Sequence, residues 1–414
     1  FEFSLMSQNI RRLRWFYLTL FCLINLFAGS YYAWSVLAPA IAQRLTLLSG
    51  TVVHSNDLAL VFSLASAVNP LAMIAGGWFN DRYGPRFVIV TGGLMIGTGL
   101  IAASLVTSVT ALTIVYGVIF GLGVGLTYVS TISNAIKFFP DHRGLAGGLA
   151  TMAYGLSSMI VPPVAGWLIS GPGIDVCLQA LGGAGAAVLI SAGLLTRKPS
   201  DRLSEELGLT TADSGRSTAV SLNWKAMLST RAFWPMLLFF ITGSTGAMML
   251  FSCVASIAQN AVGLTAAAAA GAVSILALTN TVGRFAAGTV SDRIGRIPAL
   301  FLSLSLAAVG FIVLLNTHAG DAVLFFAGIG LIGLCYGGYV GIYPGFTVDQ
   351  FGPKYNSVNY GIMAAGFSSG GILGPMLVKW TANGHDYSAC YAAALTVIAV
   401  GFVFGLLCRL WCRR

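Results

Sequence analysis

In the stretch LTNTVGRFAAGTVSDRIGR, residues 278–296, a guanidinium stands inside a run otherwise fit for hydrocarbon. Arg284 keeps its proton at physiological pH, and a central arginine costs a membrane helix about 3 kcal/mol on insertion scales. It therefore calls for a partner. Its two parallel N–H donors match the two oxygens of a carboxylate. All thirteen Asp and Glu residues lie in loops, tails or at the ends of apolar segments, with Asp349 the nearest to an exception. The simplest partner is an anionic ligand in a wet cavity; the alternative is an arginine tied to carbonyls and tyrosines for structure alone. Asn280, one turn earlier on the same helical face, could orient the guanidinium or bond the ligand.

Around this cation, hydroxyl-bearing aromatics fall in the central thirds of other apolar segments: Tyr32, Tyr128, Tyr336 and Tyr339, with Tyr154 a weaker candidate. Each offers an apolar wall and one hydrogen-bonding tip. Leu149 could contact a small apolar group on the ligand. Two carboxylates, Asp81 and Asp292, each end an apolar segment beside basic residues and a glycine suited to a tight turn. A carboxylate so placed can accept from helix N-terminal amides or from an arginine, forming a latch.

The elements that must position these residues are membrane helices. Hydrophobic residues make up 57% of the 414-residue chain and charged ones only 8%, which excludes an ordinary soluble domain. Runs long enough to cross a bilayer give twelve segments, from 15–42 to 387–410, the eighth spanning 266–290. Arg284 precedes Asp292 by eight residues, about 12 Å along a helix rising 1.5 Å per residue, toward the midplane. Glycines recur every four residues at Gly144 and Gly148 and at Gly333, Gly337, Gly341 and Gly345, a spacing that lets backbones approach closely.

With the N-terminus inside, nineteen of the twenty-two Lys and Arg residues fall on the cytoplasmic side; Arg44 and Lys379 lie outside and Arg284 lies within. This bias sets orientation, so both termini are expected in the cytoplasm and the chain in the cell's inner (plasma) membrane. The net charge of +9 then reflects topology and contact with anionic lipids rather than nucleic-acid binding. The first apolar stretch is too long for a cleavable signal peptide. Seven scattered cysteines without CxxC spacing and four loop histidines offer no metal site or disulfide framework. No cofactor is expected. An intramembrane enzyme needs paired acids, an activated nucleophile or a metal, and no such set is visible, so the chain is expected not to be an enzyme.

A polar stretch, RKPSDRLSEELGLTTADSGRS, breaks the pattern near the middle. It marks a cytoplasmic linker over 197–230 between halves at 1–196 and 231–414. The halves repeat: Asp81 and Asp292 are separated by 211 residues, and the same offset carries YGLSS at 154–158 onto AGFSS at 365–369. Two motifs in one register signify an internal repeat. Gly77, Asp81, Arg82, Gly84 and Arg86, repeated as Gly288, Asp292, Arg293, Gly295 and Arg296, resemble the two copies of the loop motif of the major facilitator superfamily. The resemblance implies an all-α membrane protein, twelve transmembrane helices in two pseudo-symmetric six-helix bundles, with a gating role for Asp81, Arg82, Arg86, Asp292, Arg293 and Arg296.

Two further stretches narrow it. FFPDHRGLAGGLATMAYG at 138–155 is similar to the entrance signature of the fifth helix in monocarboxylate transporters, and NTVGRFAAG at 280–288 resembles their arginine segment. NYG at 359–361 resembles the bacterial oxalate:formate antiporter branch. The resemblance implies alternating-access transport of small monocarboxylates, lactate or pyruvate in type, by proton symport. Carboxylate antiport and a carboxylate receptor on a transporter scaffold are the alternatives. The pattern is broken in places. Asn280 stands where animal monocarboxylate transporters have an acid, the first segment has no lysine, and Phe367 stands where oxalate exchangers carry a second cation. One fixed cation neutralises one carboxylate, and a second buried without a partner costs several kcal/mol. Lactate and pyruvate are therefore expected ahead of oxalate, malate or succinate.

Overall fold

The computed structural model describes residues 2–200, 221–382 and 386–412. Among the described residues twelve long helices follow in chain order: α1 Arg12–Ser49, α2 Ala59–Tyr83, α3 Pro85–Ala103, α4 Val109–Phe138, α5 Arg143–Ser170, α6 Ile174–Leu195, α7 Phe233–Asn260, α8 Ala266–Ile294, α9 Arg296–Leu315, α10 Ala322–Phe351, α11 Asn356–Thr381 and α12 Ser388–Trp411. Among the described residues eleven of them are long and apolar enough to cross a membrane. The remaining one, α8, has 29 residues where a bilayer needs about 20, and Asn280 and Arg284 interrupt its apolar run.

Local sequence accounts for the ends and breaks. Helix α1 narrows to a 3-10 stretch at Gly29–Ala33, where Gly29 lies against α5: a Cβ there would stand 2.7 Å from the Tyr154 carbonyl oxygen. Helix α4 widens to a π stretch over Thr113–Phe120. Thr265 caps α8 by accepting from the Ala268 amide at 3.3 Å. Gly84 and Gly295 join α2 to α3 and α8 to α9 as single-residue turns at φ 87° and 94°, a region that L side chains rarely enter. That is the physical reason for the glycine in each copy of the loop motif.

Over the described residues the chain groups into two compact units. The first comprises Phe1–Asp141, Ala153–Thr218 and Pro353–Ile362; the second comprises His142–Met152, Ala219–Gly352 and Met363–Arg414. The grouping departs from contiguous halves in two short segments. The start of α5 goes with the second unit and the start of α11 with the first. Both segments are held there by the loop-motif carboxylates and by close glycine contacts, described below. The centre of the expected linker, 201–220, lies outside the described residues, and beyond it Trp224–Leu228 forms a short helix capped by the Asn223 side chain.

Candidate functional site

In the second unit Arg284 is 2% exposed. Its Nε donates to Asn280 Oδ1 at 3.3 Å, and its Nη1 donates to the Thr151 carbonyl oxygen at 3.0 Å. Both acceptors are neutral. They fix the plane of the guanidinium. Asn280, 6% exposed, reaches Nε because residues four apart on a helix share a face.

Glycines on two neighbouring helices set the backbone of Arg284. A Cβ on Gly148 of α5 would stand 2.7 Å from the Arg284 carbonyl oxygen. On α10, Gly341 abuts the same carbonyl and Gly337 abuts the Asn280 carbonyl, each too closely for a side chain. The four-residue glycine rows therefore serve to seat the arginine turn of α8 between two backbones. This is the close packing that small residues permit in membranes. Leu149 follows Gly148 and is half-buried.

The tyrosines divide. In the second unit, Tyr336 is 5% exposed and lies edge-on to Phe251 at 5.8 Å. Tyr339 is wholly enclosed, with Phe239 and Phe240 at 5.4 and 6.3 Å and Tyr343 at 5.9 Å. Its hydroxyl finds no hydrogen-bond partner among the described residues. Tyr339 belongs to an aromatic core rather than to a wall. In the first unit, Tyr32 and Tyr128 both meet Tyr154 edge-on, at 5.4 and 4.8 Å. Tyr154, the weaker candidate, is thus the centre of a three-ring cluster from α1, α4 and α5.

Each loop-motif carboxylate caps a helix. In the second unit Asp292 accepts from the Gly144 and Leu145 amides of α5, both at 2.8 Å, and from Arg296 Nη1 at 2.7 Å. Arg296 also donates to Asp349 at 2.8 Å, and Asp349 accepts from Arg143 at 2.6 Å. Gly144 and Gly288 meet backbone to backbone beneath this cap. Burial penalises the cap less than it would a lone carboxylate, because two amides and a cation satisfy it.

In the first unit Asp81 accepts from the Ser357 and Val358 amides of α11, at 3.3 and 3.1 Å, and from Lys137 Nζ at 2.8 Å. Of the other motif cations, Arg82 is exposed and lies over the Trp78 and Tyr83 rings at 5.4 and 5.5 Å. Arg86 and Arg293 are exposed. Sequence reasoning had no signal for Thr151, whose contribution is a backbone carbonyl. Nor did it assign Lys137 to Asp81 or Arg143 to Asp349, pairs set by tertiary packing. Among the described residues no group of His, Cys, Asp and Glu side chains could hold a metal ion.

The chain resembles known proteins over nearly its whole length. The family model described as Major Facilitator Superfamily matches residues 19–375 and 259–413. Oxalate:formate antiporter of Oxalobacter formigenes is 27% identical over 395 residues, covering 95% of this chain and 90% of that protein. Monocarboxylate transporter 11 of Mus musculus is 26% identical over 356 residues, covering 84% of this chain and 77% of its own. A crystal structure of the Escherichia coli fucose:proton symporter superposes with a TM-score of 0.69 at 14% identity, covering 96% of this chain and 98% of that one.

Proposed function

The chain belongs to the Major Facilitator Superfamily and is a multi-pass membrane transporter, and from that premise we propose that it carries small monocarboxylates, lactate or pyruvate in type, by alternating access coupled to protons. The observation that carries this reading is Arg284, a buried guanidinium on a membrane helix whose Nε and Nη1 are oriented by the neutral oxygens of Asn280 and Thr151. An intramembrane charge held in one plane is suited to a planar anion. The relatives named for oxalate:formate exchange and monocarboxylate transport support a carboxylate cargo. In this reading Arg284 binds the carboxylate and Asn280 orients it, Tyr336 and Leu149 contribute lining, and the Asp81 and Asp292 caps are released and remade during transport. The membrane is the bacterial inner membrane with both termini cytoplasmic, as the distribution of Lys and Arg supports.

Because Arg284 cannot release a proton, the proton travels with the acid or through neighbouring hydroxyls and water. The test is uptake of labelled lactate into liposomes holding the purified protein. An inward proton gradient should drive accumulation, and unlabelled pyruvate should compete better than oxalate or malate. Stronger competition by oxalate or malate would overturn the single-cation reading.

Carboxylate exchange is the second reading, favoured by the length over which the Oxalobacter formigenes antiporter matches. Phe367, which has no charge to offer, stands where the resemblance places a second cation. Uptake driven by preloaded oxalate or formate and indifferent to the proton gradient would establish exchange.

A further inference from the structure

At one end of the first unit, the turn from α2 to α3 and the residues after α6 surround an open cavity of about 400 Å³, lined by Tyr83, Gly84, Pro85, Arg86, Thr196, Arg197 and Lys198. Three of these seven residues are cations. Arg86, Arg197 and Lys198 are exposed, and among the described residues none of them forms an ion pair. Helix α3 begins at Pro85, so its first-turn amides add positive potential at the same place. The mechanism proposed for Arg284 uses none of these groups.

A run of rings adjoins the cavity. Trp78, Phe79, Tyr83 and Phe87 are 45%, 39%, 59% and 56% exposed. They touch in sequence, with centroids 4.9 Å apart for Trp78–Phe79, 6.2 Å for Phe79–Tyr83 and 6.5 Å for Tyr83–Phe87. Arg82 covers Trp78 and Tyr83 at 5.4 and 5.5 Å, a cation–π arrangement typical of a side chain at a polar boundary. Aromatic rings beside cations at a helix end mark the membrane interface.

A cationic cavity alone would suit any anion. Joined to an aromatic shelf that a hydrocarbon chain can lie along, it suits an amphiphile with a negative head. The geometry points to a binding site for an anionic phospholipid, its phosphate among Arg86, Arg197 and Lys198 and one acyl chain over Trp78, Phe79 and Phe87. Basic pockets between membrane helices select anionic headgroups in this way.

The test is lipid retention by the whole protein, read by native mass spectrometry after purification in detergent supplemented with phosphatidylglycerol or phosphatidylcholine. The wild-type protein should retain phosphatidylglycerol and little phosphatidylcholine. Each cation near an anionic lipid is worth about fivefold in affinity, so the double substitution Arg197→Gln with Lys198→Gln should weaken retention on the order of twenty-five-fold. That pair lies beyond the end of α6 and leaves the α2–α3 turn untouched; Arg197→Lys alone, which keeps the charge, should retain the lipid nearly as the wild type does. Inorganic phosphate at the same concentration should not displace the lipid, because it lacks the acyl chain. Equal retention of both lipids, unchanged retention in the double variant, or displacement by phosphate alone would overturn the assignment.

Discussion

Two register-matched turns, one in each unit, show what the repeat keeps and what it changes. Moving back 211 residues from Asn280 and Arg284 on α8 reaches Asn69 and Met73 on α2. The packing is the same: a Cβ on Gly361 of α11 would stand 2.8 Å from the Met73 carbonyl oxygen, as one on Gly148 of α5 would stand 2.7 Å from that of Arg284. Met73 is fully buried. The turn therefore closes equally well around a thioether and a guanidinium, so packing does not require the charge. The Thr151 carbonyl bond fits the purely structural alternative for Arg284, but the uncharged copy favours a functional one.

The caps differ in a complementary way. Both copies keep an aspartate on two consecutive amides, and surround it differently. Around Asp81 the neighbours are mostly neutral: Asn80 donates to Ser357 Oγ at 2.7 Å and accepts from Ser130 and Asn134 at 2.6 and 2.9 Å, while Ser357 donates to Ser133 at 2.7 Å. Around Asp292 they are charged, through Arg296, Asp349 and Arg143. A carboxylate cap retained in both settings belongs to the shared mechanics of the repeat. A cation present in one copy only is the part of the repeat that the proposed function assigns to the substrate.

The largest expected effect comes from making the two turns alike. Arg284→Met copies the residue that the repeat already accommodates at Met73, so the protein should still fold and purify as a single species. Hydrogen bonds to charged groups contribute about 1.5–3 kcal/mol, so saturable lactate uptake should fall on the order of a hundredfold. Arg284→Lys, which keeps charge and loses the planar fork, should fall at least about tenfold. Near-normal uptake by either variant would remove Arg284 from the site. A loss of folding in Arg284→Met would mean instead that the two turns are not equivalent.

The caps come next, and their ranking tests the neutral-versus-charged contrast. Asp81→Asn leaves Lys137, whose side chain is 9% exposed, without its one acidic partner among the described residues, and breaking a buried pair costs about 3–5 kcal/mol. Asp292→Asn leaves Arg296 still bonded to Asp349, so about 1–2 kcal/mol is expected. Thermal unfolding in detergent should rank Asp81→Asn below Asp292→Asn. Neutralising Lys137 as well, with Lys137→Gln, should recover part of the loss, and the reverse ranking would mean that the charged network is the weaker support.

How much of this was legible in the sequence follows from which interactions are local. The helices, the two motif copies and Arg284 stand out because apolar runs, glycine turns and a charge in hydrocarbon are visible within twenty residues. Tertiary pairings are not. Arg143 and Asp349 are 206 residues apart, and nothing near either one names the other. The Thr151 carbonyl is chemically identical to every other backbone carbonyl. Tyr336 and Tyr339 lie three residues apart on one helix, and only the packed structure shows that Tyr339 is sealed within an aromatic core. The starts of α5 and α11, assigned by sequence to their own halves, group with the opposite units because an aspartate caps each of them.

The glycine contacts give a smaller and sharper comparison. Gly148→Ala and Gly361→Ala place a methyl 2.7 and 2.8 Å from matching carbonyl oxygens, and at Gly361 the Ile74 amide nitrogen adds a contact at 3.0 Å, so overpacking should cost each about 1–3 kcal/mol, more at Gly361. Transport should separate them. Gly148→Ala displaces the arginine turn and should raise the KM for lactate severalfold beyond any loss of folded protein, while Gly361→Ala should change uptake only through the amount folded. Equal kinetic effects would show that the two turns contribute alike and that Arg284 holds no privileged place.

The smallest effect expected is at Asn280. Its Oδ1 accepts from Arg284 Nε at 3.3 Å, a long bond that orients more than it stabilises, and an intramolecular hydrogen bond contributes about 1 kcal/mol net. Asn280→Ala should therefore leave the fold intact and raise the KM for lactate about fivefold, with a smaller change in the maximal rate because the cation itself remains. Asn280→Asp separates orientation from charge: a carboxylate one turn from the guanidinium would pair with it and compete with the substrate, so uptake should fall further than with alanine. If Asn280→Asp instead transports as well as the wild type, the acid is being accommodated as a proton-carrying partner, and the amide at this position is not what fits Arg284 for its anion.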